Sequence, residues 1–297
     1  MKISVILKET KETRFSLEVF PPKTGVSERI PIQRHLSNIF ETVEHLIKYN
    51  PIFVSVTYNP EGKTKTTSIP LAAIIKQKYN VEAVAHLTCI STPREELSKT
   101  LDVIDYFDIE NILALRGDLP DSSLPRGELR HASDLVEEIT KHEKGFCIGV
   151  ACYPEGHPEC VTEEGERDLE KDLLHFKAKV DKGADFAITQ LFFDNNVFFS
   201  FVKKARDIGV KVPIIPGIMP IRSYNMVNIV KRLGNISMPY SLVKKLEDNR
   251  DNKAEIMEIG VEQAIKQCRG LMNKVPCIHF YTMDRWMSVD RILKELS

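Results

Sequence analysis

Glu18 stands between Leu17 and Val19, and one residue further on Phe20-Pro21-Pro22 enforces an extended exit. A carboxylate buried in so apolar a run is costly unless it is paired or has work to do. Two readings stand: a structural salt bridge, or a general acid in a setting that disfavours the charged form. His86, in AVAHLTC, is either a satisfied core histidine or a functional one. Arg116-Gly117-Asp118 puts a cation and an anion on either side of a glycine, which permits close approach of a ligand. Lys179 lies late in an amphipathic stretch and reads locally as a solvated charge as well as it does a ligand. Other polar residues at the ends of apolar runs are Thr57 with Tyr58, Thr88, Tyr153 with Glu155 and His157, Gln190 with Asp194, and Arg285.

These residues are spaced by the elements that carry them. Apolar, β-branched runs cover 14–20, 51–58, 82–88, 111–117, 146–153, 185–192, 212–218 and 277–282. Several are nearly continuous, as parallel strands buried on both faces are. Amphipathic patterns lie between them at 32–49, 68–79, 93–107, 132–142, 169–182 and 196–208. The first seven strands start roughly 30–40 residues apart, the repeat of a (β/α)8 TIM barrel. Between strands seven and eight there is room for extra helices, at 222–234, 239–248 and 253–273. Residues 1–297 are therefore predicted to form one barrel domain. A doubly wound sheet fits less well, because no G-x-G-x-x-G follows the first strand. In a barrel the chemistry sits at the strand C-termini, where the polar residues above fall.

Lys+Arg number 41 and Asp+Glu 42, a net charge of −1, which gives no reason to expect a nucleic-acid or membrane-surface partner. No apolar run approaches the roughly 20 residues that span a bilayer, and a cytoplasmic location is expected. The six cysteines form no C-x-x-C pair. Neither a disulfide scaffold nor a metal site is expected, although Cys147, Cys152 and Cys160 lie near one another in sequence.

Taken together, LEVFPPK (17–23), FVSVTY (53–58), AHLTC (85–89), ILALRGDLP (112–120), CYPEGHPE (152–159), KVDKGADFAITQLFFD (179–194), IIPGIMPI (214–221) and HFYTMDR (279–285) resemble the methylenetetrahydrofolate reductase family, in its order and over nearly the whole chain. The resemblance implies a TIM barrel holding FAD non-covalently. It implies reduction of 5,10-methylenetetrahydrofolate to 5-methyltetrahydrofolate with NADH or NADPH, the folate and the nicotinamide nucleotide taking turns on one flavin face in a ping-pong scheme. By resemblance Glu18 is the general acid, and Asp118 sits near the flavin pyrimidine and the folate pterin. Gln190 and Tyr224 contact substrate, Tyr224 in a mobile loop that usually carries Phe, and Arg285 holds the folate side with Met283 nearby. The family's FAD positions fall on Thr57, His86, Arg116, Gly117, Asp118, Tyr153, His157, Asp172, His175 and Lys179, with Lys179 neutralising diphosphate charge.

Two departures accompany the match. His175 and Ala178 stand where bacterial relatives often carry Asn and Arg, which predicts weaker FAD retention. The charged stretch 160–171 is longer than in compact relatives and reads as a solvated loop or helix extension. The resemblance further implies a homo-dimer or tetramer, and with the sequence ending at residue 297 the S-adenosylmethionine-binding regulatory domain of eukaryotic relatives is expected to be absent. Two alternatives stay open: a subunit fed electrons by ferredoxin or an iron–sulfur partner, and a non-enzymatic flavin- or folate-binding scaffold.

Overall fold

The computed structural model describes residues 1–22, 32–58, 67–90, 92–118, 128–232 and 236–297. Lys23, Leu119 and Pro120 of the motifs above, and the end of the helix expected at 222–234, lie outside the described residues. Parallel strands β1 (Arg14–Val19), β2 (Phe53–Val56), β3 (Glu82–Thr88), β4 (Asn111–Leu115), β5 (Cys147–Cys152), β6 (Phe186–Thr189), β7 (Ile214–Ile215), β8 (Gly217–Ile218) and β9 (Cys277–Tyr281) form one sheet. Its order is β7-β6-β5-β4-β3-β2-β1-β9-β8.

Eight strands were expected and nine stretches are present, because Pro216 divides the seventh run. Proline has no N–H to give the ladder. Its carbonyl still accepts from the His279 N–H, and the Gly217 N–H turns to the Thr189 hydroxyl at 3.0 Å. The run therefore pairs with β6 through Ile214–Ile215 and with β9 through Gly217–Ile218, which closes the barrel. Gly217 is required at this seam, since a Cβ there would meet the Thr189 carbonyl oxygen at 2.5 Å.

Nine described helices follow the expected places: α2 (Ile32–Leu46), α3 (Ser68–Tyr79), α4 (Arg94–Tyr106), α5 (Ala132–Thr140), α6 (Leu169–Asp181), α7 (Asn195–Asp207), α8 (Asn225–Arg232), α9 (Tyr240–Asp248) and α10 (Lys253–Leu271); α11 (Trp286–Leu296), after the last strand, was not expected. A further short helix, α1 (Ile3–Glu9), was not expected. Its Ile3 and Leu7 are buried against Phe53, Val84, Leu113, Phe186 and Ile215 inside the barrel, a burial of about 1.5–3 kcal/mol each. Its Ile3 N–H donates to Asn111 Oδ1 at 2.8 Å, which seats the helix beside the N-terminal end of β4. A second core of Phe193, Met219, Ile221, Val227, Val230, Leu242, Leu246 and Ile256 carries the helices inserted before β9. No described helix is long and apolar enough to cross a membrane.

Candidate active site

A cavity of about 460 Å³ opens at the C-terminal ends of β4 and β5 and is walled by α5 and α6. It gathers Arg116, Gly117, Asp118, Tyr153, His157, Asp172, His175 and Lys179, eight of the expected residues, with Tyr58, Thr88 and His131 beside them. Each is delivered by local structure. Gly117 takes φ +87°, the left-handed region that lets the strand turn outward at once. The Asp168 side chain accepts the Lys171 N–H at 2.9 Å and starts α6, so that Asp172 and Lys179, seven apart, face the cavity together.

Most charges here already have partners. The Arg116 guanidinium donates to both carboxylate oxygens of Glu159, at 2.7 and 2.9 Å. Lys179 Nζ donates to the Ala151 carbonyl at 2.6 Å, and burial, opposed by Cys152 and Asp172, lowers its pKa. Burial raises the Asp172 carboxyl, with Lys179 working against it. His157 packs edge-on against Tyr153, ring centroids 4.7 Å apart. Its pKa is depressed by desolvation and then by the Arg116 charge. The stretch 160–168 is not a helix extension but a small hairpin, with Val161 bridging Arg167. Arg167 Nη1 reaches back to the Glu155 carbonyl at 2.9 Å, which fixes the segment carrying His157 and Glu159.

The residues present fit FAD on their own chemistry. Two cations, Arg116 and Lys179, line a crevice that also offers the apolar Ala114, Leu115 and Ala151, with a glycine at the strand exit.

Glu18, Thr57, His86, Gln190, Tyr224 and Arg285 do not line this cavity. Glu18 and His86 are buried next to it, two residues before Thr88 in the case of His86. The surroundings of Glu18 are less apolar than its neighbours in sequence imply. Its Oε2 lies 3.6 Å from His86 Nε2 and 3.6 Å from His279 Nε2. Neither of those ring nitrogens has a hydrogen-bond partner among the described residues. Desolvation, only partly offset by Glu18, takes the His86 pKa down to about 4, so the ring is neutral. His279 is held from its other side by Ser16, Oγ to Nδ1 2.8 Å, and stacks on Phe53.

His279 was missed as a site residue. The signal was available in HFYTMDR, where His279 and Tyr281 alternate into the barrel, but its partners depend on register. β1 and β9 pair Ser16 with His279 and Glu18 with Tyr281. Thr282 and Asp284 complete the clamp. Thr282 Oγ1 donates to the Glu18 carbonyl at 2.6 Å, and Asp284 Oδ1 accepts the Phe20 N–H at 2.9 Å. Met283 and Asp284 both adopt positive φ, 50° and 53°, to make that turn.

The remaining expected residues occupy the rim. Gln190 is half-buried, with its Oε1 accepting the Leu191 N–H at 2.9 Å. Tyr224 packs on the second core, Thr57 directly follows β2, and Arg285 is exposed before α11. Asp194 serves as the N-cap of α7, and Glu155 accepts the Ser237 N–H; neither lines the cavity. All six cysteines are free, and Cys147, Cys152 and Cys160 form no common ligand group among the described residues.

With this geometry in place, comparison with known proteins is informative. The model of a family described as methylenetetrahydrofolate reductase matches residues 2–297. The chain is 34% identical over 297 residues to methylenetetrahydrofolate reductase (NADH) 1 of Arabidopsis thaliana, covering 97% of this chain and 49% of that protein. It is 36% identical over 304 residues to the probable methylenetetrahydrofolate reductase (NADPH) of Caenorhabditis elegans, 98% and 43%. It is 35% identical over 274 residues to the 5,10-methylenetetrahydrofolate reductase of Salmonella typhimurium, 91% and 86%. The chain thus spans about half the length of the plant and nematode relatives and most of the bacterial one. Among solved structures, a Clostridium thermocellum protein that binds two copies of 5-methyl-5,6,7,8-tetrahydrofolic acid shares the fold, with TM-score 0.60 and 16% identity over 99% of this chain and 98% of that one. From the match along essentially its whole length, the chain belongs to the methylenetetrahydrofolate reductase family.

Proposed function

We propose that this chain reduces 5,10-methylenetetrahydrofolate to 5-methyltetrahydrofolate, with FAD in the β4–β5 cavity and a nicotinamide nucleotide as reductant. The observation that carries the reading is Glu18, a buried carboxyl facing two unpartnered imidazole nitrogens, set beside a crevice lined by two cations. FAD, when bound, supplies hydride acceptance from the nucleotide and hydride donation to the folate.

The chain's own residues do the rest. Arg116 and Lys179 are placed to take diphosphate oxygens, and Arg116 must leave Glu159 to do so with its full fork. Asp118, exposed at the rim, offers a negative charge to the electron-poor end of either ring system. Glu18 serves as the acid that delivers a proton to a folate nitrogen as the imidazolidine ring opens. His279, held by Ser16, and neutral His86 keep that carboxyl oriented and shield it from water. Gln190, once turned from its own backbone, can donate to or accept from the pterin. Arg285, exposed beyond β9, suits a folate carboxylate.

Glu18→Gln tests this. Reduction of bound FAD by NADH or NADPH is expected to stay within about threefold, while turnover of the folate falls about 1,000-fold, in the range of a lost general acid. A protein that stays colourless after reconstitution with FAD would sink the whole reading. Two undiminished half-reactions in Glu18→Gln would sink the acid assignment.

A further inference from the structure

Cys160, Asp172 and His175 bring a thiol sulfur, a carboxylate oxygen and an imidazole nitrogen within 4.8 Å of one another on the cavity wall. Asp172 and His175 are three apart on α6 and share a face of it. Cys160 comes from a separate segment, the start of the 160–168 hairpin. Its backbone is held at both ends: the N–H donates to the His157 carbonyl, and the carbonyl accepts from the Asp168 N–H, each at 2.9 Å. Asp168 in turn caps α6. One short segment therefore fixes the thiol and the start of the helix that carries the other two donors. Cys160 and Asp172 are buried, His175 is exposed, and the His131 ring lies 6.4 Å from that of His175.

We propose that these three side chains form a binding site for a divalent cation of zinc's chemistry, with water in the fourth position toward the cavity. Thiolate, imidazole and carboxylate are the donors such an ion prefers, and three protein ligands with one open position is a common form of its sites. Bonds of about 2.0–2.3 Å put ligand atoms about 3.5 Å apart, so the cluster must tighten by about 1 Å. His175 is the member free to swing inward. Thiolate and carboxylate match the charge of the ion, and Lys171 and Lys179 on the same wall moderate its affinity.

The site has a consequence that rests on the function proposed above. Asp172 and His175 belong to the wall assigned to FAD, so a bound ion withdraws two flavin contacts. Metal and flavin then exclude one another, and the ion acts on the flavin-free protein.

Flavin-free protein titrated with Cd2+ alone is expected to bind one ion and to develop an ultraviolet thiolate-to-metal charge-transfer band. Cys160→Ser, nearly isosteric, should lose the band and bind about 100-fold more weakly, and His175→Asn, at an exposed position, about tenfold more weakly. Cys268→Ser on α10 should change neither. A band that persists in Cys160→Ser, or no one-to-one complex at micromolar Cd2+, overturns the site. Zn2+ should also weaken FAD rebinding in the wild type and not in Cys160→Ser. Equal FAD affinity with and without Zn2+ overturns the exclusion. A protein that never takes up FAD fails the functional reading instead, since the Cd2+ titration uses no flavin and still reads the metal site.

Discussion

On the β4–β5 side of the barrel mouth, charged groups are partnered: Arg116 with Glu159, and Lys179 with a backbone carbonyl. On the β1–β3–β9 side, the polar groups are deeper and the Nε2 atoms of His86 and His279 have no hydrogen bond among the described residues, Glu18 facing each at 3.6 Å. A buried polar atom left unpaired costs about 1–3 kcal/mol, while a solvent-facing charge with an exchangeable partner costs little. The first arrangement suits a surface that must give up its partners to a large anionic ligand. The second suits a small set of groups kept short of partners until a substrate or a proton arrives. Desolvation acts on both halves, as the buried Lys179 and Asp172 show, but only the cavity side adds pairs that can be exchanged for a ligand.

The largest test of that contrast is pH. Because desolvation depresses His86 to about 4 in the folded protein, the unfolded chain binds a proton that the folded one refuses between pH 6.5 and about 4. Stability therefore falls as pH drops through that window, by about 3 kcal/mol for this one buried group. Urea unfolding at pH 7 and pH 4 should show wild type losing about 3 kcal/mol more than His86→Gln, whose side chain does not titrate. If both lose stability equally, the buried side is not governed by desolvation and the contrast fails.

The cavity side was easier to foresee than the buried side, and the reason is the range of the contacts. Arg116, Gly117, Tyr153, His157 and Asp172 sit at the ends of apolar strands or on the helix that follows, so their order along the chain already places them around one mouth. The strands themselves were legible because they are buried on both faces and read as unbroken apolar runs. What Glu18 touches was not legible. His279 meets it through the β1–β9 register that joins the ends of the barrel, and no local pattern encodes a partner 261 positions away. Glu159 was quoted within its motif but not as the partner of Arg116, because that pairing crosses from the β4 exit to the loop after β5. Helix α1 was overlooked for a different reason. Its apolar residues, at 3, 5, 6 and 7, span little more than one helical turn, and its stability comes from the barrel interior it meets rather than from its own periodicity.

Arg116 sharpens the contrast from the cavity side. Removing its fork should cost a charge-assisted pair of hydrogen bonds, about 2 kcal/mol, so Arg116→Ala is expected to raise the FAD dissociation constant about 30-fold. Glu159→Gln should change it by less than about threefold, since that carboxylate is an exchangeable partner of Arg116. Fluorescence titration of flavin-free protein measures both. Losses of equal size would mean that Glu159 positions Arg116 in the complex, and the cavity side would then hold its partners as firmly as the buried side does.

The smallest effect concerns Ala178, exposed on α6 among the cavity-lining residues and one position before Lys179. A guanidinium there adds a third cation to the wall without disturbing a packed side chain, and arginine is a good helix former. Its reach to a phosphate passes through water, where screening limits the gain to about 1 kcal/mol. Ala178→Arg should therefore tighten FAD about fivefold at low salt, and the gain should shrink as ionic strength rises. The reactions that use Glu18 should keep their rates, because nothing on the buried side has moved. A salt-independent gain would show that the new side chain packs rather than pairs. A change in folate turnover with FAD saturating would show that the two halves of the mouth are coupled, which their separate sets of contacts argue against.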